Sequence, residues 1–328
     1  MRYLALLLLL LAVGCGGQTS TNNTSTNNSS EQSTQIEGPD TSEPCAEGTR
    51  RFKRPVDNMS MIRTPEQLEE YIAHYWDDFD FDIGERITEY DQMDTYSAFA
   101  TYVMLLPQER ADTLLRALMR RANRSREVLD FFADMTHEVL GDPNSPMRND
   151  EYYIPILETL LESELLDEFD KIVPQHDLKM ARLNRIGTIA NDFRYTLASG
   201  ATHTLHSLKA DYTILLFNNP GCEMCGAIID DICQSEVISA LGRQLNIKTL
   251  ALYPDEDLEA WRNYLPNMPL SWICAYDRGM KITEQESYDL KAIPSLYLLD
   301  KDKRVLIKDG ASVAQLEQVL LQSLEQRN

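Results

Sequence analysis

The chain contains 328 residues, 43% of them hydrophobic and 25% charged, an ordinary composition for a globular protein of about two domains. Its formal net charge of −21 at pH 7 would repel the phosphates of nucleic acids and the anionic surface of a membrane. Charge therefore argues against nucleic acid as a partner.

The first residues have the pattern of an export signal. Arg2 supplies a positive end, Leu4–Leu11 an apolar stretch too short to span a membrane as a mature helix, and Ala12-Val13-Gly14 a small-residue approach to Cys15. A signal that ends directly at cysteine resembles a bacterial lipoprotein signal, although alanine at position 12 replaces the usual leucine. The resemblance implies that residues 1–15 are a signal whose Cys15 carries the lipid, with a plain secreted chain as the alternative.

A lipid anchor would place the protein in the cell envelope, in contact with the membrane through that anchor only. No acidic cluster follows Cys15 directly, so we expect the protein to face the periplasm. Residues 16–44 are rich in Ser, Thr, Asn and Gln, and a disordered tether is predicted over residues 16–55. Cys45 in this tether is interpreted as a free or incidental thiol, with a role in relaying electrons as the alternative.

A helical domain is predicted over residues 56–184. Thr64-Pro65-Glu66-Gln67 combines a capping residue, a proline at the first helical position and a glutamine three residues after the cap. Apolar residues then recur at helical spacing in segments with short connections, around 68–79, 96–106, 108–122, 126–140 and 153–161. These apolar faces are interpreted as core, so the simplest arrangement is an antiparallel helical bundle.

One acidic segment of this domain has the spacing of a calcium-binding loop. Asp78, Asp80, Asp82 and Glu89 occupy positions one, three, five and twelve of that template. The sixth position, which needs glycine for a sharp turn, is an isoleucine, and phenylalanines alternate with the acids as they would in a core. We therefore expect no metal here, and we interpret the isolated histidines of the chain as solvated or hydrogen-bonded residues.

Residues 185–328 change to a mixed pattern. A hairpin with glycine in its turn is predicted over 192–205, followed by strands over 212–217, 247–253, 271–276, 295–299 and 305–308. Helices are predicted from the segment after residue 222 to Leu241, over 257–265 and over 313–326. Strands that alternate with helices and end in a hairpin predict a layered α/β domain with a central mixed sheet, so the whole chain is α+β.

The strand over 212–217 leads directly into Asn218-Asn219-Pro220-Gly221-Cys222-Glu223-Met224-Cys225. A cysteine at the start of a helix lies beside unpaired backbone N–H groups and the positive end of the helix dipole, which favours its thiolate. The motif alone is compatible with a redox-active dithiol, a structural disulfide or half of a zinc site. Zinc would need two further ligands that converge on the pair, so we favour the dithiol.

Cys233 and Cys274 are the other cysteines of this part. Residues 222 and 233 of one helix are about 16 Å apart at about 1.5 Å per residue, whereas a disulfide needs Cα atoms within about 7 Å. Cys233 therefore cannot pair with Cys222 while the helix is intact. We expect Cys233 and Cys274 to be core thiols, with a bond between them as the alternative.

Three motifs mark residues 188–328: Ala190-Asn191-Asp192-Phe193, the strand-Cys222-x-x-Cys225-helix unit, and Ala292-Ile293-Pro294-Ser295 before a strand. Together they resemble the thioredoxin-like fold of extracytoplasmic thiol–disulfide oxidoreductases of the TlpA type and their peroxiredoxin relatives. The resemblance implies that Pro294 is cis and faces the two cysteines. It also implies that the backbone of Ile293 is free to pair with an extended substrate segment.

The helical part carries two further motifs, His74–Phe81 and Asp142–Asn149. It resembles an uncharacterised domain that precedes thioredoxin domains in lipoproteins of the Bacteroidetes. This resemblance implies no chemistry for the helical part.

The resemblance of the second part implies a thiol–disulfide oxidoreductase in which Cys222 attacks a substrate disulfide and Cys225 resolves the mixed disulfide, without a cofactor. Its partners would be proteins with disulfides or thiols and an upstream membrane or envelope thiol donor. The alternative is a non-catalytic lipoprotein that binds a partner and keeps the thioredoxin-like part as a structural module.

Some positions depart from the family pattern. Gly221 replaces the usual tryptophan before the first cysteine, Glu223-Met224 replace Gly-Pro between the pair, and Leu216 stands where thioredoxins have a buried acid. The charge of Glu223 should disfavour the neighbouring thiolate and offset part of the effect of the helix dipole. A less stable thiolate makes the reduced form a better electron donor, which favours a reductase over an oxidase.

Overall fold

The computed structural model describes Arg50, Phe52, residues 62–310 and residues 312–325, so the predicted signal, Cys15 and Cys45 lie outside the described residues. The first part of the described chain is helical. Its α-helices are α1 Pro65–Ala73, α2 Gln92–Leu105, α3 Gln108–Ala122, α4 Arg126–Thr136, α5 Asp150–Glu162 and α6 Ile172–Ala181. The predicted helical character of this part is confirmed.

Side-chain caps determine where several of these helices begin. Thr64 Oγ1 accepts the Gln67 N–H at 3.3 Å while Gln67 Oε1 accepts the Thr64 N–H at 3.2 Å, so the predicted capping box is confirmed. Asp91, Ser125 and Asn149 cap α2, α4 and α5 through their side-chain oxygens. These starts therefore follow from local chemistry.

A cluster of buried aromatic rings lies in the core of the helical part: Phe52, Tyr75, Trp76, Phe79, Phe81 and Phe132. The ring of Phe132 is fully buried, with its centroid 5.6 Å from that of Trp76 and 5.2 Å from that of Phe79. Ile83 is buried as well, which confirms that the acidic segment alternates with core residues. Among the described residues no group of side chains could hold a metal ion.

The second part of the described chain contains one sheet. Its strands are β1 Arg194–Leu197, β2 Thr202–Thr204, β3 Tyr212–Phe217, β4 Ile247–Tyr253, β5 Ile273–Tyr276, β6 Ser295–Asp300 and β7 Val305–Ile307, in the spatial order β2-β1-β5-β4-β3-β6-β7. β4 runs parallel to β3 and β5, whereas β6 runs antiparallel to β3. The predicted mixed sheet is confirmed.

The helices of this part are α7 Glu223–Gln234, α8 Glu236–Gly242, α9 Leu258–Tyr264, α10 Lys281–Glu284 and α11 Val313–Glu325. Successive residues of β3 point to opposite faces of the sheet. Leu216 shares a core with Ile229 of α7 and Leu316 of α11, whereas Phe217 lies on the other face with Tyr288. No helix among the described residues has the length and apolar character needed to cross a membrane.

The helix predicted to continue to Leu241 is interrupted. α7 ends at Gln234, and Ser235 begins α8 by accepting the Ile238 N–H with its Oγ at 2.9 Å. The same hydroxyl donates to Glu317 of α11 at 2.6 Å. The apolar spacing continues through this bend, so the hydrophobic pattern alone does not reveal it.

Replacing Asp277 with asparagine is expected to raise the free energy of unfolding above that of the wild type, and to raise it more at neutral pH than at acid pH. Asp277 follows β5; its Oδ2 accepts the Ile282 N–H at 2.7 Å, while its Oδ1 is buried without a hydrogen-bond partner among the described residues. Burial raises the pKa of Asp277 above its ordinary value of 3.8, although backbone donors at Ile282 and Lys281 oppose the shift. A raised pKa means that folding favours the protonated form, so ionisation lowers stability as pH rises from 3.8 through the folded-state pKa.

Urea unfolding of the wild type and of Asp277→Asn from about pH 4 to about pH 7.5 measures this difference. The variant should gain stability relative to the wild type as pH rises, and the gain should level off once Asp277 is fully ionised. A difference that is constant across the range, or that grows toward acid pH, would contradict the assignment.

Candidate functional site

The central strand β3 carries the chain to the predicted site. Every residue of Tyr212–Phe217 is buried. Asn218 still donates its N–H to Leu252 O at 3.0 Å, after which Gly221 adopts a φ of 78°, a conformation that favours glycine. This turn ends the strand and places Cys222 at the start of α7.

Cys222 and Cys225 are joined by a disulfide, with their Cα atoms 5.2 Å apart. Cys222 is the N-cap residue of α7, and its Sγ accepts the Cys225 N–H at 3.1 Å. Cys225 is 1% exposed, whereas Cys222 is half-buried. The sulfur of Cys222 is therefore the accessible one, and it lies where a helix N-terminus stabilises negative charge.

Ile293 and Pro294 lie beside this disulfide. Ser295, the first residue of β6, pairs with Phe217, the last residue of β3, so the segments beyond both residues meet at one end of the sheet. The Ile293–Pro294 peptide bond is cis, as the resemblance implied. The carbonyl oxygen of Ile293 is 3.7 Å from Cys222 Sγ. The structure thus brings the two cysteines, Ile293 and Pro294 together.

The surface around the cysteines is apolar and acidic. Met224, between the two cysteines, is 68% exposed. Glu223 is also exposed, and Asp255 accepts a hydrogen bond from Asn219 Nδ2 at 2.6 Å. Such a surface can contact an apolar peptide segment and would repel a small anion.

Comparison with known proteins assigns a family to the chain. The family model described as "Domain of unknown function (DUF5106)" matches residues 14–184, slightly more than half of the 328 residues. The chain belongs to the DUF5106 family. A second model, described as "Thioredoxin-like", matches residues 210–305 of this DUF5106 protein.

Two solved structures are similar to this chain. A thioredoxin-like protein from Bacteroides caccae is 39% identical, and the match covers 83% of this chain and 98% of that chain with a TM-score of 0.77. The C-terminal domain of an uncharacterized protein from Bacteroides fragilis is 43% identical over 42% of this chain and 98% of that chain, with a TM-score of 0.41. No curated protein matches the chain. The stated resemblances of the helical and thioredoxin-like parts are confirmed.

The DUF5106 protein has an apolar residue where thioredoxins have a buried acid. Leu216 is fully buried in the core that β3 shares with α7 and α11. A carboxylate at this strand position could accept the proton of the inner cysteine, and leucine cannot.

Cys233 and Cys274 are free thiols, so the alternative of a bond between them is wrong. Cys233 is exposed rather than part of the core, because the buried face of α7 runs through Cys225, Ile229 and Ile232 and Cys233 lies at its edge. The sulfur of Cys233 is still partly desolvated, and this desolvation and the charge of Asp230 raise its pKa; burial raises the pKa of Cys274. Neither thiol is activated as a nucleophile.

Three charged residues near the proline were not predicted from the sequence. Arg148 lies in the family motif Asp142–Asn149, and its Nη2 is 2.9 Å from Asp289 Oδ2 and 3.2 Å from Asp309 Oδ2. Asp289 is 141 residues farther along the chain, so no local pattern connects the two. The motif was the one available sign that Arg148 has a specific role.

Replacing Glu223 with glutamine is expected to make reduced Cys222 more reactive at neutral pH. Glu223 is the acidic residue in the first turn of α7 and directly follows Cys222. Its charge opposes a thiolate on the adjacent residue, and solvent screens part of the effect. The alkylation rate of Cys222 by iodoacetamide at about pH 7 should rise about two- to fourfold, as expected for an exposed charge pair.

The matched control is Glu236→Gln, which removes an exposed acid from the first turn of α8. This variant should leave the alkylation rate of Cys222 unchanged. Equal rates for Glu223→Gln and the wild type would show that Glu223 does not influence the thiolate.

Proposed function

We propose that this protein is a cell-envelope thiol–disulfide oxidoreductase that reduces protein disulfides. The observation that carries the proposal is the Cys222–Cys225 disulfide at the start of α7, with an accessible outer sulfur and a buried inner one. The Ile293 carbonyl lies 3.7 Å from the outer sulfur. A disulfide that only stabilised the fold would need neither the accessible sulfur nor the neighbouring proline segment.

In the reduced protein the Cys222 thiolate attacks one sulfur of a substrate disulfide. A mixed disulfide forms as the substrate bond breaks, and the second substrate sulfur leaves as a thiolate that takes a proton. Cys225, after losing its proton, then attacks Cys222 Sγ and displaces the first substrate sulfur. Two electrons pass to the substrate, and the Cys222–Cys225 disulfide is formed.

The backbone at Ile293 is suited to hold the substrate during this exchange. Within the described part of the chain the Ile293 N–H has no backbone partner, because β6 begins two residues later. An extended substrate segment can pair with this unpaired edge, as a strand adds to a sheet. The exposed Met224 would contact its side chains.

The reducing direction is supported by Glu223, whose charge disfavours the Cys222 thiolate and makes the dithiol a better electron donor. Each turnover leaves the Cys222–Cys225 disulfide, so an upstream membrane or envelope thiol donor must reduce it again. The exchange itself needs no cofactor.

We also propose that Cys15 carries a lipid, because the leucine-rich stretch Leu4–Leu11 leads to this cysteine, and that the protein faces the periplasm, because no acidic cluster follows Cys15 directly. Labelling of cells with an alkyne fatty acid tests the anchor. The wild type should take up label and sediment with membranes, and Cys15→Ser should do neither. Label on the Cys15→Ser variant would rule out this attachment.

The catalytic proposal is tested with purified protein in an insulin-reduction assay and by trapping. The wild type should accelerate insulin reduction by dithiothreitol. Cys225→Ser should accumulate a mixed disulfide through Cys222, because the resolving sulfur is absent. If the wild type does not reduce insulin and Cys225→Ser traps no substrate, the thioredoxin-like part is a structural module and the partner-binding alternative stands.

A further inference from the structure

The helical part contacts the segment that ends at Pro294. This segment, residues 285–294, connects α10 to β6 and is called the proline loop below. Arg148, just before α5, extends into the sheet part, where its Nη2 lies 2.9 Å from Asp289 Oδ2 of the proline loop. The two side chains are 13% and 5% exposed, so the ion pair is largely buried.

Arg148 also contacts Asp309, which binds the residue that follows Pro294. Its Nη2 lies 3.2 Å from Asp309 Oδ2, and Asp309 Oδ1 accepts a hydrogen bond from Ser295 Oγ at 2.5 Å. Ser295 directly follows Pro294 and is buried. One guanidinium therefore connects to the chain before the proline through Asp289 and to the chain after it through Asp309.

Two lysines of the sheet part reinforce this contact. Lys291 of the proline loop places its Nζ 2.6 Å from Asp177 Oδ1 on α6. Lys308 places its Nζ 2.6 Å from Asp150 Oδ2 on α5 and 2.7 Å from the carbonyl oxygen of Leu183. The proline loop is thus attached to the helical part at Asp289 and at Lys291, and the chain directly after β7 is attached to it at Lys308.

Buried ion pairs of this kind add little net stability, because desolvation of the charges offsets their attraction. Removing one partner of such a pair does lower stability, since it leaves the remaining charges buried and uncompensated. Their geometry is specific, and here it fixes the segment that carries the Ile293 carbonyl next to Cys222. An apolar contact could hold the two parts together without fixing this segment so closely.

We propose that the helical domain positions the proline loop for substrate binding and that Arg148 is its main positioning residue. The inference rests on the proposed function, because it assigns the loop to the binding of a protein disulfide. Loss of Arg148 would release Asp289 and Asp309, and the Ile293 backbone would no longer be held for an extended segment. A small disulfide needs only the Cys222 sulfur and would not depend on the loop.

The test compares Arg148→Gln with Arg116→Gln as the matched control. Arg116 is 21% exposed and pairs with Asp112 and Glu158, both within the helical part. Arg148→Gln should raise KM for insulin about tenfold or more and change the rate with hydroxyethyl disulfide less than about twofold, the pattern of a lost positioning contact. Hydrogen exchange of peptides covering 285–295 should become faster in Arg148→Gln and stay unchanged in Arg116→Gln.

If Arg148→Gln fails to fold, Asp289→Asn replaces it, since this change keeps Arg148 beside Asp309. The proposal would be overturned if the folded variant showed the same hydrogen exchange over 285–295 and the same KM for insulin as the wild type. It would also be overturned if Arg116→Gln changed both quantities as much as the variant does. A wild type that is inactive on both disulfides would remove the proposed function instead. Hydrogen exchange would still decide in that case whether Arg148 holds the proline loop.

Discussion

Cys222→Ser is expected to abolish the catalysis of insulin reduction, so that the rate falls to that of dithiothreitol alone. Cys222 carries the accessible sulfur at the N-terminus of α7, and the inner Cys225 is only 1% exposed. Serine has nearly the same shape but cannot form a mixed disulfide. The turbidity of reduced insulin measures the rate.

Cys233→Ser is the matched control for this prediction. Cys233 is an exposed thiol on the same helix, it forms no disulfide, and its pKa is raised by burial and by Asp230. Its replacement should leave the rate unchanged. Activity that survives in Cys222→Ser, or is lost in Cys233→Ser, would place the nucleophile elsewhere.

Phe132→Ala is expected to destabilise the helical part by about 3–5 kcal/mol, the usual result of removing a buried phenylalanine. The ring is fully buried and lies 5.6 Å from Trp76, 5.2 Å from Phe79 and 5.4 Å from Phe81, measured between centroids. Neighbouring rings cannot fill the space without leaving their own contacts. Urea unfolding followed by circular dichroism at a helical wavelength measures the loss.

Phe169→Ala removes the same side chain from the surface, where Phe169 is 81% exposed. This control should change the free energy of unfolding by less than about 0.5 kcal/mol. A loss in Phe132→Ala no larger than that in Phe169→Ala would show that the aromatic cluster does not hold the helical part together.

Local patterns predicted the strand and the helix on either side of Cys222. The apolar run Tyr212–Phe217 is the buried central strand, and Cys222 lies at the helix start that the junction of strand and helix patterns predicted. Ile293 and Pro294 could be assigned through the family resemblance, because their approach to Cys222 depends on the pairing of two strands far apart in the chain. Short-range spacing therefore predicted the elements, and the family resemblance predicted how they meet.

What could not be predicted depends on contacts between distant residues. Ser235 interrupts a continuous helical pattern because its hydroxyl also binds Glu317, 82 residues away. The motif around Arg148 did not indicate its partner, and the burial of Arg148 and Asp289 follows from the contact between the two parts of the chain. Cys233 lies four residues after the buried Ile229, but Ile232 occupies the core side of that turn and leaves Cys233 exposed.

The redox equilibrium of Cys222 and Cys225 tests the central claim most directly. The native protein is equilibrated with dithiothreitol buffers of graded potential, the thiols are alkylated, and the peptides are quantified by mass spectrometry. We expect one two-electron transition in which both cysteines change together, at a potential below that of the glutathione pool. A pair that stays bonded in excess dithiothreitol would contradict a redox-active dithiol, and a potential well above that of glutathione would contradict the reducing direction.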